Sequence, residues 1–260
     1  MRTMKKPDSF DSRLAALTAK SVAAQSQSPQ DFDWDRAAKL PLWLPKRLAA
    51  SAITHFHRGE LATASMCNQI RHRPDMAIGR DFLEAQAFDE RRHAHLYGLY
   101  LDKLGGPDTQ SSAVGRVYDC AASWRGAPQA IILAFHGVLE GESMRLQQEI
   151  DTWLPCPLFK AISAVIARDE ARHIAFGRLY LREALPTLSQ TERREIFRWI
   201  RALWFEAVRG AISHFAPPGT VKAHGGLAGW MANEWQERID ALEALHLFSP
   251  DERAEFVSTC

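Results

Sequence analysis

Asp89-Glu90-Arg91-Arg92-His93 and Asp169-Glu170-Ala171-Arg172-His173 are one five-residue phrase written twice, eighty positions apart and differing only at the middle position. At the same interval Tyr100-Leu101 returns as Tyr180-Leu181, and Glu60 returns as Glu140. Thirty residues therefore separate Glu60 from Glu90 and Glu140 from Glu170, so the two halves carry one pattern. On a helix, positions i and i+3 share a face, so each Glu-x-x-His pair directs one carboxylate and one imidazole toward a common point. At 1.5 Å per residue, thirty residues suffice to run down half a long helix, turn, and climb the partner to the same height. The spacing predicts that Glu60 faces His93 across a helical core and that the second half repeats the arrangement.

The chain around these motifs reads as helix throughout. Ala, Leu, Glu and Arg dominate, apolar residues recur three and four apart, and short breakers divide the stretches. Helices are expected over about Lys46 to Arg71, Asp75 to Leu104, Pro128 to Trp153 and Leu158 to Ala184, with a short one around Ala113 to Ala122. Further helices run from about Ser189 to Phe215, stopped by Ala216-Pro217-Pro218-Gly219, and from Leu227 to Leu247, with a fresh start at Ser249-Pro250-Asp251-Glu252. No stretch alternates β-branched and polar residues, so sheet is not expected. The fold class is all-α: two closely joined helix pairs and a longer link make a four-helix bundle with a crossover connection, over about 46–186, with additional C-terminal helices over about 189–257. Residues 1–35 are polar and rich in Ser, Gln and Asp, and are expected as a flexible N-terminal arm ahead of a single domain over 36–260.

Composition narrows the function classes. With 32 Lys+Arg against 31 Asp+Glu the formal net charge is +1, which gives no field to draw in nucleic acid or an anionic membrane. Apolar runs such as Ala130 to Phe135 fall far short of the roughly 20 residues of a membrane span, and Met1 to Phe10 lacks the apolar core of a signal peptide. A cytoplasmic location is the expectation. Cys67, Cys120, Cys156 and Cys260 lie far apart with no CxxC pair, which excludes zinc-ribbon and disulfide-scaffold readings.

Four helices of this register would converge Glu60, Glu90, Glu140 and Glu170 with His93 and His173 on one level. Four carboxylates and two imidazoles are the ligand set of di-iron and di-manganese carboxylate bundles, and oxygen with imidazole ligands suits Fe or Mn rather than structural zinc. A single Glu-x-x-His arises by chance on solvated helix faces. Two copies with matched flanks and matched upstream glutamates do not, and four carboxylates buried without a cation would be very costly.

These two EX29EXXH halves resemble the ferritin-like di-iron carboxylate superfamily and, within it, the ribonucleotide reductase small-subunit-like group that includes bacterial di-iron oxygenases. The resemblance spans about Lys46 to Pro186. It implies that Asp89, Arg92, Asp169 and Arg172 form a hydrogen-bond network behind the ligands, as expected physically of groups that orient a ligating histidine. It also implies an accessory role for Tyr97, one turn after His93, where reductase small subunits carry their radical tyrosine; a hydrogen-bonding core residue is the alternative. Ser143, three residues after Glu140, and Thr63, after Glu60, place hydroxyls near the oxygen-binding face or bond back to their own helices. His57 and His136 stand one turn before Glu60 and Glu140, as further ligands, supporting donors or ordinary half-buried histidines. Ala64, Ala87, Gly137, Ala167 and Gly177 fall near inward positions, where they leave a small cavity or let helices approach closely. Arylamine N-oxygenases of the superfamily carry a further histidine one turn before the fourth-helix glutamate, and here that place is Ile166.

The resemblance implies a non-haem di-iron oxygenase that activates O2 and hydroxylates, N-oxygenates or desaturates a small organic substrate. Two Fe ions, or a Mn/Fe pair, are the implied cofactor and O2 the co-substrate. No flavin, nicotinamide or iron–sulfur motif is present, so an external electron donor or reductase is implied, and a homodimer is expected on base rates. The readings of other classes are a ferroxidase or metal-binding ferritin-like protein, a radical-generating subunit, and a noncatalytic helical interaction protein. Aromatic-rich helical segments such as Phe197-Arg198-Trp199 and Trp204-Phe205 argue against a storage cage.

Overall fold

The computed structural model describes residues 9–25, 29–107, 113–215 and 225–258, and among them every regular element is helical. α1 is Phe10–Ala24, α2 Lys46–Ile70, α3 Arg80–Leu104, α4 Ala113–Ala122 and α5 Pro128–Ile132. A π-helical segment, Leu133–Leu139, carries α5 directly into α6, Glu140–Trp153. α7 is Pro157–Ala184, α8 Gln190–Phe215, α9 Leu227–Ala244 and α10 Arg253–Ser258. The breaker expected at residues 216–219 and Cys260 lie outside the described residues. Cys67, Cys120 and Cys156 are free.

The boundaries follow local chemistry. Proline opens α5 and α7, where its missing N–H costs nothing. α3 closes on Gly105 at φ 97°, with the Gly105 and Gly106 N–H groups donating to the Asp102 and Leu101 carbonyls, a left-handed cap that favours glycine. A 3-10 turn, Pro74–Gly79, folds α3 back onto α2, so the second helix starts five residues later than the expected Asp75. α2 and α3 form the most intimate pair, α6 packs on α7, and α3 meets α7, which assembles the four-helix core. The connecting α4 packs on α2 and α8.

Two features depart from expectation. Residues 10–24, assigned to a flexible arm, form a helix capped by Ser9 and packed against α3 and α7. Leu14 and Ser21 lie on its buried face and Phe10 and Leu17 pack on the core; small polar residues around these few anchors mask the period. The helix expected over 128–153 is interrupted by the π segment, whose wider turn rotates the side chains that follow.

The added helices complete the core instead of decorating it. Phe197 of α8 is fully buried and meets Trp235, Phe248 and Phe256 at ring-centroid distances of 6.0, 5.6 and 5.8 Å. No described helix is long and apolar enough to cross a membrane. Phe197→Ala should lower unfolding free energy by about 3–5 kcal/mol, read from urea denaturation.

Candidate metal centre

The structure brings all six motif residues together. Glu60, Glu90, His93 and Glu170 each place one ligand-capable atom within 4.8 Å of the others, and Glu90, Glu140, Glu170 and His173 do the same. Glu90 and Glu170 belong to both groups, so the two share an edge. His93 Nδ1 lies 3.4 Å from Glu60, 3.6 Å from Glu90 and 3.4 Å from Glu170. His173 Nδ1 lies 3.2 Å from Glu90 and 3.5 Å from Glu170. All six side chains are buried.

Behind the cluster the motifs support each other crosswise. His93 Nε2 donates to Asp169 Oδ2 at 2.9 Å, and His173 Nε2 to Asp89 Oδ2 at 3.5 Å. The aspartate of each phrase thus serves the histidine of the other. Arg92 donates to both Asp89, at 3.2 Å, and Asp169. Arg172 bonds Asp169 and stands 3.9 Å from Asp89. With Nε2 committed outward, each imidazole turns Nδ1 inward, the orientation an outer carboxylate imposes on a metal-binding histidine.

Four buried atoms of the cluster, His93 Nδ1, His173 Nδ1, Glu140 Oε2 and Glu170 Oε2, have no hydrogen-bond partner among the described residues. In a low-dielectric core such atoms require a cation or shared protons. Burial raises Glu60 and Glu140 well above the ordinary carboxylate range, and neighbouring glutamates add to the rise. Burial would raise Glu90 as well, but the charge of His173 and the closeness of both imidazoles carry it well below that range. Burial disfavours a charged imidazole, yet the bond to Asp169 and the nearby carboxylates of Glu170 and Glu60 hold His93 well above the usual histidine value, and the charges of Glu90 and Glu170 do the same for His173. Without metal the cluster is a proton store. Its donor set and orphaned atoms fit two divalent cations.

A residue absent from the motif reading joins the cluster. Gln86 is completely buried one turn before Glu90, and its amide N–H groups donate to Glu90 Oε1 and Glu140 Oε1, both at 2.8 Å. His136 Nε2 donates to Gln86 Oε1 at 2.8 Å. Burial, with the nearby His173 charge, presses His136 down to about 4, so it stays neutral. His136 therefore orients the amide that holds two carboxylates. A Cβ on Gly177 would stand 2.4 Å from the His136 Cβ, so α7 carries glycine where the π segment leans on it. His57 is half-buried beside Gly98, and neither it nor His136 enters the two ligand groups.

The accessory residues divide. Tyr97 is buried, stacks on Phe56 at 5.5 Å and accepts a hydrogen bond from Gln147 at 3.0 Å. Thr63 donates back to the Gly59 carbonyl at 3.0 Å. Ser143 lies on the wall of a small space that Glu60, Glu90, Glu140 and Glu170 also line. The small residues expected to line that space do not: Gly137 is turned outward past the π segment, and Gly59 lies there instead. Ile166 is buried in the apolar cluster of Phe56, Tyr97 and Ile162, so no imidazole stands at that place.

A family model described as P-aminobenzoate N-oxygenase AurF matches residues 61–233, more than half of the chain. Glu90, His93, Glu140, Glu170 and His173 fall within the match. Among solved structures, an R2-like ligand-binding oxidase variant with an aerobically reconstituted Mn/Fe cofactor superposes with a TM-score of 0.61 at 14% identity, covering 100% of this chain and 95% of that one. A second variant of that oxidase, anaerobically reconstituted with Mn/Fe, superposes with a TM-score of 0.63 at 14% identity, covering 92% and 96%. At such identity the likeness establishes the fold. No curated protein matches the chain in sequence.

Two outcomes follow from this geometry. Gly177→Ala should cost about 1–3 kcal/mol of stability by overpacking against His136, measured by urea unfolding. Because His93, His173, Glu60 and Glu140 hold protons that a cation must displace, anaerobic loading with Fe(II) should release protons, and apparent affinity should rise with pH. Titration with a pH indicator at several starting pH values reads both.

Proposed function

The chain belongs to the P-aminobenzoate N-oxygenase AurF family, and from that premise we propose that it is a dimetal oxygenase that uses O2 to oxidise a small organic substrate, with N-oxygenation of an amine as the reaction. It is an oxidoreductase of the oxygenase and oxidase type. The observation that carries the proposal is the convergence of four buried carboxylates and two inward-turned imidazoles, with orphaned atoms at their centre.

In this reading Glu60, Glu90 and His93 would hold one metal ion, and Glu140, Glu170 and His173 the other. Two Fe ions, or a Mn/Fe pair as in the structural neighbours, suit the donor set. Such a pair supplies the redox equivalents and Lewis acidity by which O2 is activated. The residues supply everything else. Asp89 and Asp169 fix the imidazole rings, and Arg92 and Arg172 pair with those aspartates. Gln86 holds one oxygen each of Glu90 and Glu140 in position. Phe56 and the buried apolar residues behind it exclude water from one side of the cluster.

N-oxygenation of an amine to a hydroxylamine inserts one oxygen atom of O2 and sends the other to water, consuming two electrons and two protons beyond those of the substrate. The proposal therefore includes an external electron donor or reductase. It also includes a single catalytic domain, with α1 packed into it, in a cytoplasmic homodimer, and Tyr97 and Ser143 in accessory roles beside the ligands. Glu140→Ala or His173→Ala should bring metal content below two ions per chain and abolish O2 consumption while helicity by circular dichroism stays near wild type. Full O2 consumption in either variant would overturn the ligand assignment. Oxygen uptake without any oxidised organic product across a panel of small amines would instead favour a ferroxidase.

A further inference from the structure

One half of the cluster carries a buried amide that the other half lacks. The side-chain nitrogen of Gln86 donates to Glu90 Oε1 and to Glu140 Oε1, both at 2.8 Å, which uses both of its N–H groups. Its carbonyl accepts from His136 Nε2 at 2.8 Å. The amide cannot turn over, because the reversed arrangement would set its oxygen against two carboxylate oxygens. His136 is itself confined, with its ring 5.4 Å from that of Phe176 and its Cβ against the bare backbone of Gly177.

The oxygens that Gln86 engages belong to one side of the cluster. Glu90 Oε1 is the oxygen that lies 3.2 Å from His173 Nδ1, whereas Glu90 Oε2 lies 3.6 Å from His93 Nδ1. Glu140 groups with His173 and not with His93. Its Oε1 is taken by the amide and its Oε2 has no hydrogen-bond partner, so Glu140 offers the cluster one free oxygen in a fixed place. Around Glu60 and His93 there is no equivalent. The eighty-residue shift puts Ile166 at the place of Gln86 and Phe56 at the place of His136, and both are in an apolar cluster. An amide also suits the task chemically: it fixes a carboxylate oxygen without bringing in a positive charge that would repel a cation.

We propose that Gln86, anchored by His136, is a positioning residue for one metal ion only. It sets the affinity of the position made by Glu140, Glu170 and His173 and leaves the position made by Glu60, Glu90 and His93 unaffected. The inference rests on the ligand assignment and adds to it an inequality between the two positions.

Co(II) serves as the probe, since its visible absorption follows the geometry of the bound ion, and the full chain is titrated without oxygen against a competing chelator. Gln86→Met, which keeps the length of the side chain and removes the amide, should weaken one of the two ions about 10- to 100-fold, the usual effect of losing a group that holds a metal ligand, and leave the other within about 2-fold. The absorption of the weakened ion should shift and that of the other should not. His173→Ala identifies the position: any ion that this variant still binds should be indifferent to Gln86→Met when the two changes are combined. His136→Phe, which leaves Gln86 its N–H groups but removes its anchor, should weaken the same ion by a smaller factor. Circular dichroism and melting temperature check that each variant is folded. Comparable weakening of both ions, no weakening of either, or lost affinity at an ion that survives His173→Ala would overturn the role of Gln86 and leave the ligand assignment intact. A wild-type chain that takes up fewer than two Co(II) ions would overturn the ligand assignment and this inference with it.

Discussion

Four carboxylates cannot share a low-dielectric core unless something positive sits among them, and the rest of the molecule is arranged around that requirement. Asp89 and Asp169 are matched by Arg92 and Arg172, so that outer layer is close to self-neutralising. The imidazoles, when they act as ligands, are neutral. What remains is the negative charge of Glu60, Glu90, Glu140 and Glu170, which two divalent cations would balance. The long apolar helices make the penalty severe, because they exclude the water that would otherwise dilute the repulsion.

The two halves repeat in sequence but not in surroundings. Under the eighty-residue shift Phe56 corresponds to His136, Tyr97 to Gly177, and Gln86 to Ile166. Phe56 and Tyr97 stack on one another and share an apolar cluster with Ile166. His136 and Gly177 touch at the π segment, and His136 bonds Gln86. One flank is therefore apolar and the other polar, although the ligand positions are matched. The asymmetry gives the two halves of the cluster different environments, apolar beside Phe56 and polar beside Gln86 and His136.

Much of this was legible from residue spacing alone. The Glu-x-x-His pairs and their upstream glutamates locate the cluster, because helical geometry leaves one face for residues three apart and one height for residues thirty apart. Most helix limits were legible for the same reason: proline and the Gly105-Gly106 pair act locally. α1 was hidden because its few anchors sit among small polar residues and are buried only once α3 and α7 exist to receive them. The π segment was hidden because an extra residue in one turn leaves no mark on composition. Gln86 was within reach, being one turn before Glu90 on the ligand face, but an amide there has several meanings until its partners are known.

The crossed pairing of Asp169 with His93 and Asp89 with His173 bears on how such a repeat can arise and be taken apart. A half-chain with one glutamate and one Glu-x-x-His pair would carry an imidazole without the carboxylate that orients it. Neither half is a module with its own finished coordination shell. If the pattern began as a single helix pair, that ancestor needed a second copy of itself to complete the site. Fusion into one chain then freed the two copies to diverge in everything except the residues each supplies to the other.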